Sequence, residues 1–151
     1  MRPSWGTIII IDLDRFSEFI ESRGLNPYSP NDVTGELSRL IDIFKSKHSA
    51  IVIYGLDWDR GTEEAIIEIP EVEAESLIED LKDIAKTINS LGASATIVAL
   101  TGYILGKEAR NRREAYRGDI RRKAKRILEK LKRRGGNLLY IDGLTYKVGE
   151  F

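Results

Sequence analysis

Apolar positions follow strand-like runs in some parts of this chain and helix-like stripes in others. Residues Thr7–Ile11 are β-branched or apolar throughout, which is typical of a strand buried on both faces. Other segments repeat apolar residues every three to four positions, as an amphipathic helix does. The predicted elements are a strand at Thr7–Ile11, a short helix ending at Gly24, a helix capped by Ser29 and running to about Lys47, strands at Ser49–Tyr54 and Glu64–Ile69, a helix at Glu71–Leu91, a strand within Ala93–Leu105, a helix at Gly118–Arg134, and a closing hairpin of Leu138–Ile141 with Leu144–Val148.

This order, β-αα-β-β-α-β-α-β with a further short strand, predicts the fold class. Strands joined by a hairpin pair in antiparallel fashion, and the amphipathic helices need a surface to cover. We therefore expect an α+β sandwich, with helices packed on a mainly antiparallel sheet in one domain over residues 1–151. No internal repeat or linker divides the chain.

Composition narrows the chemistry further. Among the 151 residues there is no cysteine and only one histidine, His48, which excludes disulfides, thiolate metal sites, a cysteine nucleophile and a histidine-rich zinc site. No leader-like or membrane-spanning stretch is visible, so we expect a cytoplasmic protein without a membrane partner. Charged residues make up 32% of the chain, which favours a thermophilic source.

Charge is distributed unevenly along the chain. Residues 1–106 carry 9 basic and 18 acidic side chains, whereas residues 107–134 carry 14 basic and 4 acidic ones. A basic segment in an acidic protein suggests a polyanionic partner, either a nucleoside triphosphate or RNA or DNA. Its arginines, including Arg121 and Arg122, are candidate phosphate ligands because the guanidinium fork matches phosphate oxygens. The alternative is a solvated helix face whose charges pair with the acidic segment at 71–83.

Carboxylates at strand ends are the candidate catalytic groups. Asp12 follows the buried first strand, and Asp57 and Asp59 lie in the turn of the central hairpin. If Asp12 and Asp57 face each other about 4 Å apart, they repel by roughly 1–4 kcal/mol unless a cation lies between them. Mg²⁺ (or Mn²⁺) binds one or two carboxylates and leaves its other positions to water and phosphate. The alternative is that these acids are ordinary solvated turn residues.

Several motifs resemble the nucleotidyl cyclase-like palm superfamily. Ile9-Ile10-Ile11-Asp12-Leu13-Asp14-Arg15-Phe16 resembles the first strand of GGDEF diguanylate cyclases, class III cyclases, archaeal GTP cyclohydrolases of type III and the CRISPR polymerase palm. Tyr54-Gly55-Leu56-Asp57 resembles the hairpin that carries the GGDEF signature, and the segment from Ala124 to Asn137 resembles the closing helix and its glycine turn. The resemblance implies a ferredoxin-like palm that is often a homodimer.

The same resemblance implies roles for individual residues. It places the metal on Asp12, the Leu13 carbonyl and Asp57. Asp59, in the same turn, is a further candidate metal ligand by position alone. It assigns nucleotide contacts to three other residues, which are Phe16, Gly55 and the phosphate-binding Lys132.

The chain also departs from the family pattern. Leu56 replaces the second glycine of the signature, Ile20 replaces a guanine-reading asparagine, and Gly136 replaces a phosphate-binding arginine. Guanine specificity and diguanylate synthesis are therefore not expected.

Three functions follow as hypotheses. The first is Mg²⁺-dependent chemistry on a purine nucleoside triphosphate, either nucleotidyl transfer and cyclisation or hydrolysis. The second is a degenerate palm that binds nucleotide or RNA without turnover, and the third is a scaffold whose basic helix contacts a protein. His48 is interpreted as a helix-end residue favoured by the helix dipole, and Trp58 as a cover for strand ends or a stacking surface for a base.

Overall fold

The first strand, β1 (Ser4–Leu13), lies at the centre of the sheet in this computed structural model, which describes residues 4–151. Residues 1–3, which entered the prediction that no leader is present, lie outside the described part. The other strands are β2 (Ile51–Tyr54), β3 (Glu64–Pro70), β4 (Ala95–Ile104), β5 (Leu138–Ile141) and β6 (Leu144–Lys147). The sheet order is β2-β3-β1-β4-β5-β6, and among these strands of residues 4–151 only the β4–β5 pair is parallel.

Helices cover both faces of this sheet, so that β1 is buried on both sides. The helices are α1 (Phe16–Arg23), α2 (Asp32–His48), α3 (Ile78–Ser90), the single turn α4 (Arg112–Ala115) and α5 (Asp119–Arg133). Ile9 and Ile11 pack on the side of α2 and α3, whereas Ile8 and Ile10 pack on the side of α5. All four are fully buried, and each contributes about 1.5–3 kcal/mol of hydrophobic stabilisation. The continuous apolar run in β1 is therefore explained by two cores, one on each face.

The predicted fold class is confirmed. The chain is an α+β protein with a six-stranded, mostly antiparallel sheet, and the strands and helices follow the predicted order. The hairpin of β5 and β6 lies where the Asp142-Gly143 turn predicted it.

Two predicted helix starts are wrong. Helix α2 is capped by Asn31 instead of Ser29, because the Asn31 side chain accepts hydrogen bonds from the backbone N–H groups of Val33 and Thr34. Helix α3 does not begin at Glu71, because Glu71 has a left-handed backbone (φ 62°) and a 3₁₀ turn at Ala74–Leu77 precedes the helix. The apolar spacing continues through that turn, which is why periodicity alone extended the helix.

Strand bounds differ in smaller ways. Strand β2 begins at Ile51 instead of Ser49, because Ser49 ends α2 in a left-handed conformation (φ 50°). Strand β1 is longer than the predicted Thr7–Ile11 because it pairs with β4 from Ser4 to Leu13. Within residues 4–151, none of the helices combines the length and apolar character needed to cross a membrane.

Candidate functional site

Asp12 lies near the end of β1 and faces the α5 side of the sheet. Its cross-strand partners are Glu64 on β3 and Thr96 on β4. Burial raises the pKa of Asp12 from 3.8 to about 6; Lys132 opposes this shift, and the negative charges of Glu64 and Asp14 add to it. The carboxylate is thus incompletely compensated by its protein neighbours, which is the electrostatic condition that a bound cation relieves.

Lys132 lies against the groups that the resemblance assigns to the metal. From α5, its Nζ donates to the Leu13 carbonyl oxygen at 3.0 Å and to Asp14 Oδ1 at 3.0 Å, and lies 3.3 Å from Asp12 Oδ2. Its ammonium group therefore partly neutralises this end of β1. Phosphate contact through the same ammonium remains a prediction.

Asp14, two residues from Asp12, is instead fully bonded to protein. Its carboxylate accepts from the hydroxyls of Ser94 and Thr96, from Lys132 and from the backbone N–H of Asn137, at 2.7 to 3.0 Å. Gly136 makes this enclosure possible, because a Cβ there would lie 2.5 Å from Asp14 Oδ1. Asp14 thus joins β1, β4, α5 and the turn before β5, and the space that an arginine would need at position 136 is closed.

The hairpin loop at 55–63 is held against α2 by buried hydroxyls. Ser38 Oγ contacts Thr62 Oγ1 at 2.7 Å and donates to the Asp57 carbonyl at 3.0 Å. Asp57 Oδ1 accepts from the backbone N–H groups of Asp59 and Arg60, both at 2.9 Å, and so stabilises the turn. Asp57 thus has a structural role in addition to any ligand contact.

A pocket of about 400 Å³ opens between β1, the hairpin loop and the segment before α5. Its lining residues are Asp12, Pro27, Tyr54, Gly55, Leu56, Asp57, Arg60, Gly61, Glu63, Glu64 and Arg112. Asp12 and Asp57 both line this pocket, whereas Asp59 is exposed and is not among the lining residues. That Asp12 and Asp57 share one cation stays a prediction. Four carboxylates and two arginines line the pocket, which gives a formal net charge of −2.

The sequence reasoning missed two pocket residues, Glu64 and Arg112 as its partner, and also Tyr116, which packs against Arg112. Arg112 holds Glu64 through two hydrogen bonds, Nε–Oε1 at 2.9 Å and Nη2–Oε2 at 3.2 Å. The Arg112 guanidinium carbon lies 5.2 Å from the centre of the Tyr116 ring. The Tyr116 hydroxyl is buried without a hydrogen-bond partner among the described protein groups. Burial and then the charge of Glu64 raise the pKa of Tyr116 above its ordinary value.

Two signals in the sequence point to these residues. Glu64 opens the strand opposite Asp12, so an antiparallel register would have placed it beside Asp12. Arg112 belongs to the basic segment at 107–134.

Of the other predicted ligands, Arg121, Arg122 and Phe16 lie outside the pocket, and Gly55 lines it. Arg121 is buried, and its guanidinium is held by both oxygens of the buried Glu68 at 3.0 Å, so in this fold it is not available to phosphate. Arg122 is exposed and pairs with Asp119. Phe16 packs against the apolar core on the α2 side. Gly55 lines the pocket, and its close approach to β3 leaves no room for a side chain, since a Cβ would lie 1.9 Å from the Glu64 carbonyl oxygen.

The basic segment does not pair with the acidic segment at 71–83, because α5 and α3 cover opposite faces of the sheet. Within residues 4–151, five of its 14 cations form ion pairs and nine form none. The nine are Lys107, Arg113, Arg117, Lys123, Lys125, Arg126, Lys130, Arg133 and Arg134. The interpretation as a face paired to that acidic segment is therefore wrong.

His48 is the last residue of α2, as predicted, and its Nε2 lies 2.5 Å from Asp80 Oδ2. Trp58 is 56% exposed at the hairpin tip, so it does not cover the strand ends.

The donor set of the pocket fits a hard divalent cation with open positions. Asp12 and Glu64 are oxygen donors on adjacent strands, and Mg²⁺ commonly takes one or two carboxylates. Among residues 4–151, no group of three acidic or histidine side chains converges closely enough to hold a metal alone. A cation in this pocket would therefore need phosphate or water oxygens to complete its coordination.

Comparisons with known proteins agree with this fold. No protein-family model and no curated protein matches the chain. The solved Csm1-Csm4 cassette in complex with AMPPNP superposes with a TM-score of 0.55 at 16% identity, covering 96% of this chain and 23% of that one. The chain is similar in fold to Csm1.

Two further solved structures give the same result. Csm1 of T. onnurineus superposes with a TM-score of 0.52 at 16% identity, covering 98% of this chain and 23% of that one. The Csm1-Csm4 cassette in complex with cA3 gives 0.50 at 16% identity, with 96% and 23% covered. The chain thus spans about a quarter of the Csm1 chains that it matches. At this identity the likeness concerns the fold, and it confirms the resemblance to the CRISPR polymerase palm at that level.

Proposed function

We propose that this chain binds a purine nucleoside triphosphate together with a divalent cation in the pocket between Asp12, Glu64 and the hairpin loop, and carries out nucleotidyl transfer or cyclisation there. The observation that carries the proposal is the charge of the pocket. A lining with a net charge of −2 repels a bare triphosphate, but a divalent cation cancels that charge and converts the pocket into a phosphate site.

Three groups of the chain would share the work. Asp12 and Glu64 would hold the cation, because both are carboxylates at neighbouring positions of adjacent strands. Lys132, held beside Asp12, would offset part of the negative charge at the end of β1. The hairpin loop is fixed to α2 and would form a preorganised wall for the ligand. When bound, Mg²⁺ would neutralise phosphate oxygens and lower the pKa of an attacking hydroxyl or water.

The fold comparison supports the same ligand class. One superposed Csm1-Csm4 cassette was crystallised with AMPPNP, a nucleoside triphosphate analogue. A homodimer, expected from the resemblance, would be checked in the same preparations by measuring the mass in solution.

A thermal-shift titration with each nucleoside triphosphate, with and without Mg²⁺, tests the proposal. At a ligand concentration 100 times Kd, binding stabilises the folded state by about 2.7 kcal/mol. We expect this gain only with nucleotide and Mg²⁺ together, and we expect Asp12→Asn and Glu64→Gln to abolish it. Asp42→Asn, an exposed acid on α2 outside the pocket, is the matched control and should behave as wild type.

If nucleotide and Mg²⁺ stabilise Asp12→Asn as much as they stabilise the wild type, the pocket is not the binding site. Chromatography of the nucleotide after incubation then separates turnover from simple binding. If the nucleotide is recovered intact, the chain binds nucleotide without turnover and acts as a regulatory binding module.

A second candidate function, nucleic-acid binding, is favoured by the nine cations without ion pairs. Lys123, Arg126 and Lys130 lie on one exposed face of α5 at helical spacing. We expect a labelled single-stranded RNA to bind with an affinity that falls linearly on a plot of log K against log salt. Reversing these three charges to glutamate should flatten that slope, whereas Asp12→Asn should leave it unchanged. A slope that survives the reversal would exclude this face.

A further inference from the structure

We propose that Arg112 is a switchable ligand of the pocket: without nucleotide it neutralises Glu64, and when a divalent cation takes over Glu64 it turns its guanidinium to the phosphate oxygens. This inference rests on the proposed function, because it concerns the same pocket.

The ion pair between Arg112 and Glu64 has two hydrogen bonds but contributes little to stability. Arg112 donates two hydrogen bonds to Glu64, at 2.9 and 3.2 Å, and the Arg112 side chain is 56% exposed while that of Glu64 is 15% exposed. Exposed ion pairs contribute little to stability, because water screens the charges and the long side chain loses entropy on pairing. Opening this pair therefore costs little compared with what a cation and a triphosphate gain.

Glu64 is also the carboxylate that a cation beside Asp12 needs. The two residues are cross-strand partners on β1 and β3. Arg112 and a cation on Glu64 would compete for the same oxygens. Binding of the cation thus releases the guanidinium.

Tyr116 keeps the released guanidinium near the pocket. The Arg112 guanidinium carbon lies 5.2 Å from the Tyr116 ring centre, and guanidinium groups bind aromatic faces. The ring itself is buried, which fixes its position. Its hydroxyl is buried and has no hydrogen-bond partner among the described protein groups. A released guanidinium stacked on this ring would present its fork to a phosphate in the pocket.

Two binding measurements that need no turnover test the switch. The first is binding of Mn²⁺ alone, followed by the electron paramagnetic resonance of the free ion. The second is calorimetry with inorganic tripolyphosphate and Mg²⁺, which removes any dependence on the base. Four proteins are compared: wild type, Arg112→Ala, Arg112→Lys and the matched control Arg113→Ala. Arg113 is the exposed neighbour on α4 and forms no ion pair within the described residues.

The two measurements should change in opposite directions in Arg112→Ala. Mn²⁺ should bind up to about fivefold tighter, because Glu64 has lost its competitor. Tripolyphosphate with Mg²⁺ should bind at least about tenfold weaker, because the fork is missing. Arg112→Lys should keep wild-type Mn²⁺ binding and lose part of the phosphate affinity. Arg113→Ala should match wild type in both.

The outcomes separate this inference from the proposed function. If wild type binds both probes but Arg112→Ala leaves Mn²⁺ binding unchanged or weaker, the switch is refuted and the pocket stands. If wild type and Arg112→Ala both fail to bind Mn²⁺ and tripolyphosphate, the proposed function fails and the switch fails with it. Tighter Mn²⁺ binding that occurs in Arg112→Ala and in none of the other three proteins would support competition between Arg112 and the cation for Glu64.

Discussion

Strand β3 carries two glutamates, each held by an arginine from the same basic segment, and the two pairs differ in how completely they are enclosed. Glu68 and Arg121 are buried, and their remaining polar atoms also find partners, including the Gly106 backbone N–H and the Lys107 carbonyl oxygen. Glu64 and Arg112 form an equally direct pair at the pocket, but the arginine is largely exposed. Similar residues thus form a buried ion pair at one position and a partly exposed ion pair four residues away.

Unfolding measurements on the buried pair should show the largest effect. Arg121→Met leaves Glu68 buried without its counter-ion and should destabilise the protein by about 3–5 kcal/mol in urea unfolding. The double variant Glu68→Leu/Arg121→Met should recover most of that loss, because no uncompensated charge remains. Arg112→Met should cost no more than about 1 kcal/mol. Equal losses for the two arginines would remove the distinction between the pairs.

Asp12 in β1 and Asp14 just after it offer a second comparison, because substituting each by asparagine should change stability in opposite directions. Asp14→Asn should destabilise the protein by about 2–4 kcal/mol, because the new amide faces hydrogen-bond donors that the carboxylate accepted. Asp12→Asn should stabilise the ligand-free protein at pH 8 by about 1–3 kcal/mol, because the ionised carboxylate is disfavoured in the fold.

The pH dependence of Asp12→Asn checks its cause. The pKa of Asp12 is about 6 in the folded state and 3.8 by ordinary reference, so between these values the folded state binds more protons and wild-type stability falls as pH rises. The advantage of Asp12→Asn should therefore vanish below about pH 4 and be complete above about pH 6. A constant advantage across this range would mean that burial of the Asp12 charge is not its source.

Much of the fold was predictable from the sequence, because burial imposes periodicity. The apolar run of β1, which is buried on both faces, and the apolar stripes of the amphipathic helices predicted the order of elements and the α+β sandwich. The start of α3 was not predictable in this way, because the left-handed backbone at Glu71 leaves no mark on the apolar spacing.

The site was predictable only in part. Asp12 was a candidate because it follows a buried apolar run, and Asp57 because it lies in the hairpin turn; both line the pocket. The pairing of Arg121 with Glu68 and of Arg112 with Glu64 depends on where α5 crosses the sheet, and composition assigned both arginines the same role. Glu64 was missed because its role depends on its register with Asp12, which follows only when β1 and β3 are taken as neighbouring antiparallel strands.

The substitution Tyr116→Phe should give the smallest change in the free energy of unfolding. Tyr116→Phe removes a buried hydroxyl that has no partner among the described protein groups, so it should leave stability unchanged or raise it by up to about 1 kcal/mol. Urea unfolding measures this difference. A loss of more than about 1 kcal/mol in the free energy of unfolding would mean that the Tyr116 hydroxyl is hydrogen-bonded in solution, contrary to our inference.

The most direct test of the central claim is a manganese anomalous difference map from crystals grown with Mn²⁺ and a non-hydrolysable nucleoside triphosphate. We predict one peak within coordination distance of both Asp12 and Glu64, with triphosphate oxygens on its open side. Ordered nucleotide bound elsewhere, or no manganese between these two carboxylates at saturating concentration, would contradict the account.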